Sequence, residues 1–196
     1  TAMPALDADT IMLATEDALR RHGLAKATVV DVARELGVSH TAVYRHFPSK
    51  AALREAVTRR WLKHHFDELT RLAADFQQPA PERLRAWLLA LYRAKRNTAT
   101  TDPELFAVYG ELVKENSAVA AEHVAALHDQ IQAIVVDGLD SGDFTVGDPA
   151  ATAHALFEAT AAFHHPAHLN EWQRPDRDQL LAEVCSLLIN GLRDTR

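Results

Sequence analysis

Apolar residues recur along the chain at intervals of three and four, broken by glycine and proline, and no stretch sustains an alternation of apolar and polar positions. The pattern predicts helices and no sheet. A first helix runs from about Asp9 to His22 and closes at Gly23. Two short helices follow in the stretch TVVDVARELGVSHTAVYRHFPSK, from Thr28 to Lys50. Thr28 caps the earlier one, which carries Val32, Ala33 and Leu36 and stops at Gly37, with Val38 packing back on it. Ser39 caps the later one, which turns Ala42, Val43 and Phe47 inward and leaves His40, Thr41, Tyr44, Arg45 and His46 outside. Ala33, Gly37 and Val43 have the spacing of a helix-turn-helix. The small residue lets the second helix approach, the glycine makes the turn, and the branched residue plugs the angle. Pro48 then ends the second helix, Ser49 caps the next, and Lys50 falls in its first turn.

Beyond this unit the stripes are longer. Leu53, Ala56, Val57, Trp61, His65, Leu69, Leu72 and Phe76 predict one helix over 49–76. QQPAP breaks it, and Pro81 opens a helix carrying Leu84, Trp87, Leu88, Leu91 and Tyr92 to about Asn97. Thr101-Asp102-Pro103 caps a helix holding Leu105, Phe106, Tyr109 and Leu112, and Asn116-Ser117 starts another that reaches about Leu139. SGDFTVGDP reads as a turn, followed by a helix from Ala150 to about His165 and a last one from Asp176 to Leu192. The Ala150 helix is rich in small residues, and the Asp176 helix has a broader apolar surface than one core needs. Together they predict a homodimer through Ala155, Ala159, Leu180, Val184, Leu187 and Leu188.

Composition adds limits. A chain of 196 residues, 47% of them apolar, can bury a substantial core. No apolar run approaches the roughly 20 residues that span a bilayer, and no secretory signal pattern is present, so a cytoplasmic protein without a membrane partner is expected. The single Cys185 lies between apolar helix positions and fits a reducing compartment. A net charge of −6 argues at first against nucleic acid, but between Val32 and Lys63 seven basic residues stand against two acidic ones. The basic footprint is local, as expected if one end of the molecule meets DNA. There is no Gly-rich phosphate loop, no GxSxG elbow and no cofactor motif, and the chain is not expected to be an enzyme.

The segment GVSHTAVYRHFPSKAALREAV resembles the DNA-binding domain of the TetR/AcrR family of bacterial transcriptional regulators, and the likeness extends from about Leu6 to Trp61. Two positions depart from the family pattern: Thr41 stands where a small residue or proline is frequent, and Leu19 where an aromatic usually plugs the small domain. The resemblance implies an all-α fold, with a three-helix helix-turn-helix domain over 1–48 and a helical ligand-binding and dimerisation domain over 49–196. The helix over 49–76 connects the two. It also implies a repressor that binds double-stranded operator DNA and is released by a small effector. By position, Tyr44 and His46 resemble phosphate contacts, His40 and Thr41 base-edge contacts and Lys50 a backbone clamp. Thr28 and Ser39 sit at helix N-termini beside phosphates, and Arg45 is free to point either way.

The family's cavity, enclosed by helices four to eight, is expected among Trp61, His65, Trp87, Phe106, Tyr109, His123, Phe157 and His164. Such a lining suits a lipophilic or aromatic molecule. In FHHPAH, His164 and His168 are four apart, a spacing that converges on a metal ion if the backbone is helical, although Pro166 disfavours helix there. No metal is therefore expected, a metal-responsive repressor being the alternative and a histidine-dependent enzyme the rival class.

Overall fold

The computed structural model describes residues 6–24 and 27–193, and the described residues form nine α-helices and no strand. The first three make a compact head: α1 (Ala8–His22), α2 (Val29–Glu35) and α3 (His40–His46). Thr28 accepts from the Asp31 N–H while the Asp31 carboxylate accepts from the Thr28 N–H, a reciprocal cap that fixes where α2 begins. Gly37, at φ +66°, ends α2. The Val38 N–H reaches back to the Ala33 carbonyl at 3.0 Å and the Gly37 N–H to that of Arg34 at 3.1 Å, the paired bonds of a left-handed helix stop. Val43 is fully buried in the angle so made, and Leu19 and Phe47 fill the head's core beside it.

Helix α4 (Lys50–Ala73), capped by Ser49, leaves the head and packs against α1, α5, α6 and α7. It stops three residues short of the expected Phe76. The Asp75 carboxylate accepts from the Gln77 N–H in the turn that follows, and Phe76 lies 68% exposed over the Arg83 guanidinium, 5.0 Å away, instead of continuing the stripe. Helix α5 (Ala80–Thr101) is the axis of the larger domain, with α4, α6 (Pro103–Lys114), α7 (Ala118–Ser141) and α9 (Arg177–Leu192) around it. It runs a turn beyond the expected Asn97.

Helix α8 (Pro149–Ala159) packs on α7 and ends well before the expected His165. The Thr160 hydroxyl donates to the Leu156 carbonyl at 2.9 Å, and His164 Nε2 takes the Phe157 carbonyl at 3.0 Å, so side chains occupy the acceptors that a further turn would use. Two 3-10 segments, Ala161–Phe163 and Pro166–Glu171, carry the chain on to α9. The ends of the 1–48 and 49–196 division fall outside the described residues; Pro48 and Ser49 separate α3 from α4 between them.

Gly138 tests the packing of this domain. A Cβ there would lie 2.1 Å from Cδ2 of the buried Phe144, whose own N–H is bonded to the Gly138 carbonyl at 2.9 Å. Alanine is the better helix former by about 1 kcal/mol, yet forced displacement of a packed ring costs about 1–3 kcal/mol. Gly138→Ala is therefore expected to lower the midpoint of urea unfolding. An unchanged or raised midpoint would show that Phe144 repacks freely.

Candidate functional site

The head presents one polar face. His40 and Tyr44, one turn apart on α3, lie edge to face with ring centroids 6.3 Å apart, and Tyr44 is 42% exposed. Thr41, Arg45, His46 and Lys50 are exposed beside them, and the Ser39 hydroxyl is engaged by the Ala42 N–H at 3.2 Å as a cap. Thr28 is half-buried, and both its hydroxyl and its backbone N–H are committed to Asp31 in the cap, so neither is free for a phosphate. The basic excess of this region is smaller in space than in sequence. Arg34 pairs with Asp31, Arg54 with Glu115, Arg59 with Glu122, and Arg60 with Asp9 and Glu16. Among the described residues Arg45, Lys50 and Lys63 have no carboxylate partner.

Two of those pairs, Arg60 with Asp9 and with Glu16, and one buried carboxylate join the head to the larger domain. Asp102, between α5 and α6, accepts from Arg20 Nε at 3.1 Å and NH2 at 3.0 Å, and from Trp61 Nε1 at 3.0 Å. Arg20 belongs to α1 and Trp61 to α4, so a single side chain holds three helices. The bond to Asp102 holds the guanidinium above its ordinary pKa. On the surface, Arg54–Glu115 at 2.6 Å ties α4 to the end of α6 and Arg59–Glu122 at 2.8 Å ties it to the start of α7.

The expected cavity residues are distributed among several places. Trp61 and His65 face a wide, open cleft between α1 and α4 walled by charged side chains, and burial lowers the pKa of His65. His123 lines a groove between α4 and α7. Trp87, bonded through Nε1 to Gln130 at 2.9 Å, and Phe106 are core residues that line none of these spaces. Tyr109, Phe157 and His164 do meet, around a cavity of about 240 Å³ with Val113, Ala120, Val124 and Leu127 as its apolar walls. At its inner end stands Lys95, a residue the periodic reading passed over.

Lys95 is 1% exposed, and its Nζ lies 2.9 Å from the Tyr109 hydroxyl and 2.9 Å from His123 Nε2. The same nitrogen sits over the Phe66 and Tyr109 rings at 4.5 and 4.2 Å. Burial pushes the amine well below the ordinary lysine range and raises the Tyr109 phenol. Burial first, and then the charge of Lys95, holds His123 well below its usual value, and burial brings His164 down to about 4. The signal was present: Lys95 shares the core-facing register of Leu84, Leu88, Leu91 and Thr98, where a charge is out of place.

The histidine cluster does not converge. His164 points inward to the Phe157 carbonyl, His165 caps the second 3-10 segment, and His168 pairs with Glu171 at 3.1 Å. Among the described residues no group of three metal-ligating side chains forms, and no helix is long and apolar enough to cross a membrane. Burial raises the Cys185 thiol to about 11, which suppresses its thiolate.

On the apolar faces left open, Ala155 and Ala159 of α8 are exposed, as are Leu180 and, at 74%, Leu187 of α9; Val184 and Leu188 are half-buried between them.

Comparison with known proteins gives two family matches: "Tetracyclin repressor-like, C-terminal domain" over residues 80–185 and "Bacterial regulatory proteins, tetR family" over residues 11–57. The nucleoid occlusion factor SlmA of Aliivibrio fischeri (strain MJ11) is 34% identical over 95 residues, which is 47% of this chain and 48% of that protein. The chain thus spans about half the length of the curated relatives it matches. RolR, solved with resorcinol, superposes with a TM-score of 0.65 at 15% identity, covering 94% of this chain and 86% of that one. FadR from Bacillus subtilis, solved with stearoyl-CoA, does so with a TM-score of 0.67 at 17% identity, covering 95% and 100%. At those identities the likeness is one of fold.

The reading face makes two separable expectations. Tyr44→Ala should weaken binding to a selected operator duplex by about 1–3 kcal/mol, the order for a specific groove contact. Lys50→Ala should lower affinity for every duplex and reduce the salt slope by about 1. Fluorescence anisotropy at several salt concentrations measures both, and a folded Tyr44→Ala protein that binds as the parent does would remove α3 from the interface.

Proposed function

The chain belongs to the TetR family of bacterial regulatory proteins, DNA-binding transcriptional regulators rather than enzymes, and from that premise we propose that it is a homodimeric repressor released from its operator by a small organic effector. The observation that carries this reading is the junction at Asp102, where one buried carboxylate holds α1 of the head, α4 of the connection and the α5–α6 corner of the larger domain. Residues 1–48 act as the reader and 49–196 as the sensor. The 240 Å³ cavity is the effector site. Tyr109, on its wall, is in α6, whose first residue follows Asp102 and whose Phe106 and Tyr109 rings stack near Trp61. A ligand that shifts α6 therefore displaces the residue that positions both Arg20 and Trp61. That resorcinol and stearoyl-CoA occupy proteins of this fold supports an organic effector.

Two copies are needed to place two α3 helices in successive major grooves. The exposed small face of α8 and the Leu180–Leu188 face of α9 suit helix-on-helix packing between copies.

Sedimentation at low micromolar concentration is expected to give a dimer mass, and Leu187→Glu with Leu180→Glu a monomer; a monomeric parent overturns the assembly. For regulation, a 100-fold loss of operator affinity requires about 2.7 kcal/mol of effector preference for the released conformation. Asp102→Asn is expected to leave effector affinity within about threefold while reducing that coupling by about 1 kcal/mol or more, since the charged acceptor for Arg20 is gone. Effector titrations with and without operator measure it. Undiminished coupling would place the route elsewhere.

A further inference from the structure

The inner end of the cavity holds a buried amine and no carboxylate to balance the charge it would carry. Among the described residues no carboxylate pairs with Lys95; its two polar partners are a phenol and an imidazole, and two aromatic rings face its nitrogen. Those partners are poor counter-ions. Tyr109 accepts from Lys95 through its oxygen, so its own proton is free to be donated, and burial keeps the phenol and His123 in their neutral forms. A buried amine in such a setting costs folding energy that a lysine-to-methionine exchange would recover and that a ligand bringing the opposite charge would offset. The opposite end of the cavity is different. Its walls are Val113, Ala120, Val124, Leu127 and Phe157, and its mouth opens between the exposed Asn116 and His165.

We propose that the effector is a small monocarboxylic acid, bound with its carboxylate on Lys95 Nζ and the Tyr109 hydroxyl and its apolar body along the wall formed by Val113, Val124, Leu127 and Phe157. The carboxylate supplies the charge Lys95 lacks and accepts the proton Tyr109 has spare, so both orphaned valences are met by one group. Size limits the class. A cavity of about 150 Å³ takes benzene, so one of about 240 Å³ takes a single ring or a short chain with its acid group, and excludes long acyl chains. The inference rests on the reading of this cavity as the effector site, and it adds Lys95 as the specificity-determining residue.

The test is calorimetric titration of the full chain with four acids, benzoate, phenylacetate, hexanoate and octanoate, each against its neutral primary amide. At least one acid is expected to bind about 10- to 100-fold more tightly than its amide, the range for a hydrogen bond to a charged group. Lys95→Met is expected to lose that preference while melting at or above the temperature of the parent. The ratio of acid to amide in the unaltered chain stands even if the variant does not fold. Equal binding of acids and amides, no binding by any acid, or an unchanged preference in folded Lys95→Met overturns the proposal. Operator affinity, followed with the same ligands, separates it from the regulatory reading. An acid that binds through Lys95 yet leaves operator affinity unchanged sustains the proposal and overturns the role of the cavity in release; an amide that releases operator as well as its acid does the reverse.

Discussion

Three helices of this molecule meet on the carboxylate of Asp102. Asp102 and Trp61 are buried, so the bond between them is made away from water and leaving either unpartnered costs about 1–3 kcal/mol, while the Arg20 guanidinium that completes the junction is 41% exposed. Turning the head against α4 would break the Arg20 bonds, and sliding α6 would carry Asp102 with it. The aromatic rings of Trp61, Phe106 and Tyr109 fill the space behind it, with centroids about 6 Å apart. A packed cluster of this kind has discrete arrangements rather than continuous ones, which is the property a switch requires.

The second constraint is Lys95. Placed in a core register on the central helix, its amine faces the same Tyr109 that closes the aromatic cluster, so the cavity and the junction share a residue. Tyr109, Phe106 and the Asp102 corner lie in succession along α6, so the route proposed between cavity and junction is short. Helix α5 carries Lys95 to the cavity and ends at Asp102.

The helices and the head were legible from sequence because local chemistry specifies them. Thr28, Ser39 and Ser49 each make the cap their type predicts, and Gly37 makes the turn. The misplacements came where side chains compete with backbone. Asp75 ended α4 early, and Thr160 with His164 ended α8, since neither competition alters the apolar period. The cavity was the least legible part. Aromatic residues at core spacing do not reveal which rings face a void, so Trp87 and Phe106 were grouped with Tyr109 and Phe157 although only the latter two line it. The informative residues were the charged ones on apolar stripes, Lys95 and Asp102, whose positions are costly enough to require a partner.

The ion pairs of the connection divide the work by depth. Arg54–Glu115 and Arg59–Glu122 involve half-exposed or exposed partners, so salt screens them and each is worth little more than about 1 kcal/mol. They take two guanidinium groups out of the charge the head would otherwise offer to phosphates. At Asp102 only the bond to Trp61 is buried; the Arg20 guanidinium is 41% exposed and is screened as well. Raising ionic strength is therefore expected to weaken the Arg54, Arg59 and Arg20 pairs alike and to leave the buried Trp61–Asp102 bond least affected. With so few unpaired cations beside α3 among the described residues, counterion release is expected to contribute less to DNA binding than the sequence charge suggests, and the exposed His40, Thr41 and Tyr44 more.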